Sequence, residues 1–516
     1  GNKNEQVQDM KKFFNLLFSR MVTTALLVVF QIAFFMIQLI ILKSYSVYIN
    51  IGLTLLSIIV GAYIISRDIN PSIKLAWIVP IMMFPLFGGL LYILYGHVVI
   101  PRKLKKNLLR IKEQEVYEDL YGVDSNSAEI LVDDPPYRLM KYTEKYSKAP
   151  VYKGGVEKYY SMGDKVFPDL IHDLENAKKY IFLEFFIINH GKVWDDILEV
   201  LVKKVAEGVE VRVIYDDVGS VFYVNKNYWK ELEKMGIKCI CFNQIFPFMA
   251  TILNNRDHRK IAVIDGNIAY TGGFNLSDEY ANITHPFGTW KDSGIRMEGG
   301  AAFRFTIMFL QMWNTSRFTE ASYKRFIPEI KEHPHIGYLQ PYYSNPLSVE
   351  HAGESIYLQM INDARNYIYV FTPYFITGSE LMMAIKLAAK RGIDVRIVTP
   401  GIPDKKFIYR MTQSSYKELV EAGVRIYQYK PGFIHSKVIL CDDSLASVGS
   451  INMDNRSFYH HFECGVLIYM SKVIADIKRD FLQTFDECDE IDVSWCNRRR
   501  SRMLVDAVLK LLSPLL

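Results

Sequence analysis

His258-Arg259-Lys260, followed after four residues by Asp265, recurs in the same chain as His435-Ser436-Lys437, followed after four residues by Asp442. After the same gap, each copy runs into a glycine-led tail: Gly272-Gly273-Phe274-Asn275 in one, Gly449-Ser450-Ile451-Asn452 in the other. A motif that repeats with its spacing and its tail intact predicts a duplicated fold unit. Upstream segments repeat as well, Glu175–Phe186 against Asn362–Tyr374 and Gly208–Asp216 against Gly392–Pro400. Short β-branched runs such as Val209–Tyr215 and Val395–Val398 alternate with helical patterns such as Trp194–Glu207 and Glu380–Arg391. That alternation predicts an α/β unit with a mostly parallel sheet covered on both faces.

Each motif reads as a strand. In Lys260–Asp265 and Lys437–Asp442 the apolar residues fill a sheet, while His and Lys, two apart at its start, project the same way. They can converge on one bound anion. Breaking a phosphodiester needs a nucleophile, a proton donor for the leaving oxygen and positive charge on the non-bridging oxygens. A neutral imidazole, a protonated imidazole and two lysines with asparagine donors supply these. One motif copy holds only half the set, so both must meet in one site.

The paired motifs resemble the phospholipase D superfamily. From about Arg67 onward, Asn275–Tyr280, Trp290-Lys291-Asp292, Gly432–Lys437, Asn452–Ser457 and Ser513–Leu516 resemble bacterial cardiolipin synthases in particular. The resemblance implies two pseudo-symmetric α/β/α halves, each with a mixed, mostly parallel sheet, preceded by N-terminal transmembrane helices. It implies a catalytic set of His258, Lys260, Asp265, His435, Lys437 and Asp442, with Asn275 and Asn452 on the phosphoryl oxygens. The motif includes Asp265 and Asp442, yet their place at the far strand ends reads as structural. Asp292 and Glu463 match the carboxylates that orient the histidines. By the same resemblance His258 attacks phosphorus and His435 moves the proton, although pseudo-symmetry leaves the reverse order open. One departure stands beside Glu463: related synthases often show Leu-Asn-Phe-Glu where this chain has His460-His461-Phe462-Glu463. His461 reads most simply as a satisfied histidine, and alternatively as one that alters local hydrogen bonding.

The activity so implied transfers a phosphatidyl group from one phosphatidylglycerol to another, giving cardiolipin and glycerol, with no metal, nucleotide or redox cofactor. A hydrolytic phospholipase D, another phosphatidyltransferase and a non-catalytic lipid-binding scaffold are the rival readings. The partners expected are phosphatidylglycerol, cardiolipin and the bilayer, with room for a homo-oligomer. Nucleic acid is not expected: a net charge of +5 gives no sign of the broad basic groove that would neutralise many phosphates.

The first hundred residues differ in kind. Met21–Leu42 and Val47–Ser66 carry no charge, and a third apolar stretch, Leu75–Ile100, is interrupted by Pro80, Pro85, Gly88 and Gly89. With no small-residue cleavage site after the first, these read as retained membrane segments, most simply a hairpin of the first two, with the third a kinked span, a re-entrant segment or an interfacial helix. Lys11, Lys12 and Arg20 precede them and Arg102, Lys103, Lys105, Lys106 and Arg110 follow. Both clusters favour the cytoplasmic side, which predicts a multi-pass protein of the bacterial cell membrane with cytoplasmic catalytic halves. Arg498-Arg499-Arg500 with Arg502, the apolar Ile245–Met249 and the helix pattern Val505–Leu512 suggest further contact with lipid. The expected divisions are 1–100 for anchoring, a basic linker over 101–149, a first half over 150–335 and a second over 336–516. The six cysteines show neither zinc-ligand spacing nor a disulfide framework.

Overall fold

The computed structural model describes residues 46–67, 69–96, 136–244, 255–329, 334–346, 350–497 and 503–512, together with scattered positions among 29–37, 106–111, 133–134 and 348. The basic clusters at Lys11–Arg20, Arg102–Lys105 and Arg498–Arg502, the apolar Ile245–Met249 and most of Met21–Leu42 lie outside the described residues. The chain divides into two compact units: an N-terminal one ending at Ile100, with residues 245–254 and 511–516, and a larger one holding the rest.

In the N-terminal unit, the helix Ser46–Ser66 is apolar on all sides. At about 1.5 Å per residue it reaches the roughly 30 Å needed to cross a hydrocarbon core. Among the described residues it is the one helix long and apolar enough to do so. The third apolar stretch does not continue as a single helix. It breaks at Phe84 into Pro71–Met83 and Pro85–Tyr95, because Pro85 starts a new helix where the preceding residue cannot stay helical. Each piece is about 20 Å or shorter, too short to span. The chain folds back on itself there: a Cβ on Gly88 would lie 2.5 Å from the Pro80 carbonyl carbon, so only glycine allows the approach. Trp77 and Tyr92 pack edge to face at 5.4 Å.

The larger unit is built twice over. Its first sheet has the strand order Glu157–Tyr160, Gly294–Glu298, Ile268–Gly272, Lys260–Ile264, Tyr180–Phe185, Glu210–Asp216 and Lys238–Phe242. The second repeats it as Tyr338–Ser344, His461–Tyr469, Leu445–Gly449, Val438–Cys441, Tyr367–Phe371, Asp394–Pro400 and Arg425–Tyr429, and adds Tyr152–Lys153 and Cys488–Ile491 at its edges. The duplication is therefore complete at the level of topology.

The expectation of a mostly parallel sheet needs correction. Parallel pairing is confined to the last three strands of each set, and the other pairings are antiparallel. One antiparallel pairing in each sheet has its cause at the motif aspartate. Asp265 and Asp442 both have φ +52°, and the chain turns there so tightly that the next strand must return antiparallel. The alternation of strands and helices shows crossovers, and it is silent about hairpins.

Burial explains the layers. The helix Gly300–Ser316 is buried around nearly its whole circumference, between the two sheets, with one face of Val473–Asp486. The outer faces are covered by Val166–Glu175 and Lys192–Ala206 on the first sheet, and by Ala352–Asp363 and Ser379–Lys390 on the second. Pro136–Tyr146 also packs on the second sheet, where the Gln340 amide donates to the carbonyls of Met140 and Ala149, each at 2.8 Å. The expected linker over 101–149 thus ends inside the core of the second half, and the first half begins at Glu157. The C-terminal helix Met503–Leu512 forms as the pattern predicts, with Lys510 paired to Glu418 at 3.2 Å. All six cysteines are free.

Candidate active site

The motif histidines do not lie in the long strands. His258 sits in the short gap between the strand Arg256–Asp257 and the motif strand Lys260–Ile264, and His435 in the equivalent gap after Gly432–Ile434. Each of these short leading strands pairs in parallel with the opposite half: Arg256 with His461 and Asp257 with Phe462, and Gly432–Ile434 with Thr289–Lys291. The ladders run on into the histidines, where His258 N–H donates to Phe462 O at 3.0 Å and His435 N–H to Lys291 O at 2.7 Å.

That crossing decides which carboxylate meets which imidazole. His258 Nδ1 lies 2.9 and 3.0 Å from the two oxygens of Glu463, and His435 Nδ1 lies 2.7 Å from Asp292 Oδ2. Each histidine is oriented by a carboxylate from the other half. A carboxylate on Nδ1 fixes the proton there and leaves Nε2 as the reactive nitrogen. Phe186 stands edge-on to His258, and Tyr280 and Trp290 lie against His435, so both rings are held by packing as well.

Lys260 and Lys437 are fully buried, and each ammonium donates to the carbonyl of its own motif histidine. Burial pulls Lys260 down to about 8 and Lys437 to about 7. Burial, followed by Lys437, pulls His435 down to about 4 against the opposing pull of Asp292. His258 is lowered well below its ordinary value by burial and then by Lys260, His461, Lys437 and His435. The two motifs therefore feel each other's charge and form one electropositive site. Burial pushes Glu463 up, opposed by Lys260 and by the Ser450 hydroxyl.

Asp265 and Asp442, counted with the catalytic set by motif, are placed elsewhere. Asp265 accepts the backbone N–H groups of Lys178, Lys179 and Tyr180 at 2.6 to 2.9 Å, and Asp442 those of Arg365, Asn366 and Tyr367 at 2.7 to 2.9 Å. They clamp the start of the neighbouring strand at the far end of the sheet. Asn275 is partly engaged, its carbonyl taken by Ile187 N–H and its amide donating to Tyr280. Asn452 differs: its buried Oδ1 has no hydrogen-bond partner.

Residues at equivalent positions support the two carboxylates differently. Ser450 donates its hydroxyl to Glu463 Oε2 at 2.5 Å. Gly273 holds the matching place in the first half, where a Cβ would fall 2.1 Å from Asp292 Oδ1. The shorter carboxylate thus goes with the missing side chain, and the longer one with the serine. This difference is visible in the two tails, Gly-Gly against Gly-Ser, although its meaning depends on which carboxylate faces each tail. Ser450 and Tyr280 were the supporting residues that sequence reasoning missed.

Lys260 begins its strand, and Lys437 immediately precedes its own, at the end of each sheet where the parallel strands finish, with Phe185 opposite Lys260 and Phe371 opposite Val438. The loops that leave the central parallel strands at Asp216 and Pro400 emerge at that same end. They carry Phe222 at 86 % exposure, exposed Tyr223, Ile402 and Phe407, and exposed Lys226, Lys405 and Lys406.

Comparison with known proteins gives this arrangement a family. A domain described as "Cardiolipin synthase, PLD-like domain" matches residues 170–285 and 357–485, and one described as "Phospholipase_D-nuclease N-terminal" matches residues 55–96. Cardiolipin synthase 2 of Bacillus anthracis is 34% identical over 473 residues, covering 90% of this chain and 90% of its own. The chain belongs to the cardiolipin synthase family of phospholipase D-like proteins. A second relative, the cardiolipin synthase of a Geobacillus species, is 33% identical across 90% of this chain and 94% of its own. Among solved structures, phosphatidylserine synthase of Haemophilus influenzae shares the fold with a TM-score of 0.56 at 13% identity, over 73% of this chain and 100% of its own. In this cardiolipin synthase family member, both motif matches fall on the two sheets described above, and the N-terminal match covers the second half of the helix Ser46–Ser66 and the two short helices after it.

Proposed function

We infer that the chain is a phosphatidyltransferase that makes cardiolipin and glycerol from two molecules of phosphatidylglycerol through a phosphohistidine on His258. The observation that carries this reading is the pair of imidazoles braced at Nδ1, each with a lysine beside it. In the first step His258 Nε2 attacks phosphorus, the bond from phosphorus to the glycerol oxygen breaks, and His435 gives that oxygen a proton. Glycerol leaves. In the second step His435 takes the proton from a hydroxyl of the next phosphatidylglycerol, its oxygen bonds to phosphorus, and the N–P bond breaks. Lys260 and Lys437 offset charge on the phosphoryl oxygens, the part a metal ion plays in many phosphodiesterases.

Charge sets the order of events. His435 is held neutral by burial and Lys437. A phosphodiester anion among the lysines would reverse that local field and lift His435 toward the protonated form it needs as an acid. Binding of the anionic headgroup would then arm the proton donor.

Several features support a lipid substrate over water-soluble phosphodiesters. The named relatives are cardiolipin synthases. The rim loops pair exposed aromatics with lysines, a combination suited to an anionic lipid surface. The chain is a membrane protein in this reading, multi-pass, with its catalytic halves on the cytoplasmic side. The test is to reconstitute the full chain in phosphatidylglycerol vesicles and identify the products. Cardiolipin with equimolar glycerol is expected, and should persist after chelation of divalent ions. Phosphatidic acid as the main product would replace synthesis with hydrolysis, and no turnover would leave a lipid-binding scaffold.

A further inference from the structure

His461 is buried beside the site and belongs to neither motif. Its ring lies 5.4 Å from that of His258, and its Nδ1 lies 3.6 Å from Glu463 Oε1, with no hydrogen-bond partner of its own. At Nε2 the ring accepts from the Arg456 guanidinium at 3.2 Å. A neutral imidazole that accepts at one nitrogen carries its hydrogen on the other. The Nδ1–H of His461 therefore faces the same carboxylate oxygen that holds His258, at a distance slightly beyond a hydrogen bond.

The state of Glu463 decides what His258 can do. As a carboxylate it accepts from Nδ1–H and leaves a lone pair on Nε2. If protonated it would donate to Nδ1 instead, the ring hydrogen would move to Nε2, and the nucleophile would be lost. Burial favours the protonated form. Donors on Glu463 oppose it: Ser450 binds Oε2, and the Ser457 hydroxyl adds to it.

We propose that His461 is a positioning residue for His258, acting through Glu463: its Nδ1–H closes on Oε1 and keeps the carboxylate an acceptor while phosphorus is attacked. The inference rests on the reading of His258 as nucleophile. A cation site is the other arrangement these groups suggest, since ligand atoms of His258, His461 and Glu463 all lie within 4.8 Å of one another. Lys260, Arg256 and Arg456 set positive charge around His461, however, and in the tautomers assigned above both Nδ1 atoms carry hydrogen. That environment opposes a metal ion.

The test compares His461→Phe with His461→Asn in the full chain, reconstituted in phosphatidylglycerol vesicles. Phenylalanine keeps the ring shape and lacks the donor, so kcat should fall about ten-fold with KM nearly unchanged, and the histidine adduct should form more slowly. Asparagine puts an amide N–H where Nδ1–H stood and should recover most of that loss. Wild-type kcat in His461→Phe, or equal loss in both variants, would overturn the proposal. So would zinc inhibition that disappears in His461→Phe, since it would assign the cluster to a cation. If His461→Phe does not fold, Arg456→Met leaves the imidazole and removes the donor that fixes its tautomer. A several-fold fall in kcat is then expected, and an unchanged kcat overturns the idea. Failure of the underlying reading is seen separately: adduct recovered on His435 in the unaltered chain would show that His258 is not the nucleophile.

Discussion

The two histidine sites share a topology and differ in how they are braced. At His435 a short carboxylate, Asp292, comes in close over Gly273 and is fixed by the N–H of Ser293 at 2.8 Å. At His258 a longer carboxylate, Glu463, is met by a serine hydroxyl and faced by a second imidazole. The same backbone repeat thus carries two local solutions. A proton shuttle must gain and lose charge in each cycle, whereas a nucleophile must keep one tautomer throughout. The extra donors around Glu463 suit the second demand.

The largest effect should come from removing either imidazole. His258→Ala and His435→Ala should each cost about 10³-fold or more in lipid turnover with folding retained, since neither ring can do both jobs. Substantial turnover in one of them would break the division of labour.

Making the first half resemble the second comes next. Gly273→Ser drives a side chain into Asp292, and a loss of about 10²-fold is expected from a displaced orienting group. Asp292→Asn should cost a similar amount and also move the pH profile. His435 is held below its ordinary value of 6.5, so its capacity as an acid is lost as pH rises, and Asp292 is the group that pulls it up. Without that charge the alkaline limb should shift to lower pH, which a rate profile across pH will show.

The reverse exchange should be milder. Ser450→Ala removes one donor from Glu463, and about a ten-fold fall in kcat is expected from losing a hydrogen bond to a charged group. A loss as large as that of Gly273→Ser would mean the two braces are equally rigid.

The smallest effect on rate should come from the motif aspartates. Asp265→Ala or Asp442→Ala leaves three backbone N–H groups without their acceptor and should lower stability by about 1–3 kcal/mol, seen as a lower melting temperature. The folded protein should keep a kcat within about two-fold. A large kcat loss with normal stability would return these residues to the chemistry.

Much of this was legible in the sequence because the duplication is written in spacing. The two motifs and their tails follow from reading one half against the other, and Asp292 and Glu463 from the resemblance to the family. The exchange of carboxylates between halves did not follow, since it depends on short strands such as Arg256–Asp257 pairing across the two domains. The antiparallel pairings were hidden because alternating strands and helices reveal crossovers and not the hairpins at Asp265 and Asp442. The third apolar stretch showed its prolines and glycines, and the close approach of Gly88 to Pro80 and the packing of Trp77 on Tyr92 show that the chain doubles back.

The crossing strands bear on the life of the chain before it is complete. A ribosome that has released residues only as far as Glu421 has produced His258 and Lys260, but neither Glu463, which meets the His258 ring, nor His435. Such a fragment beside a bilayer has no means of opening a phospholipid. Each imidazole gains its orienting carboxylate only when both halves have been synthesised and their short strands have paired, so the site is a product of finished folding.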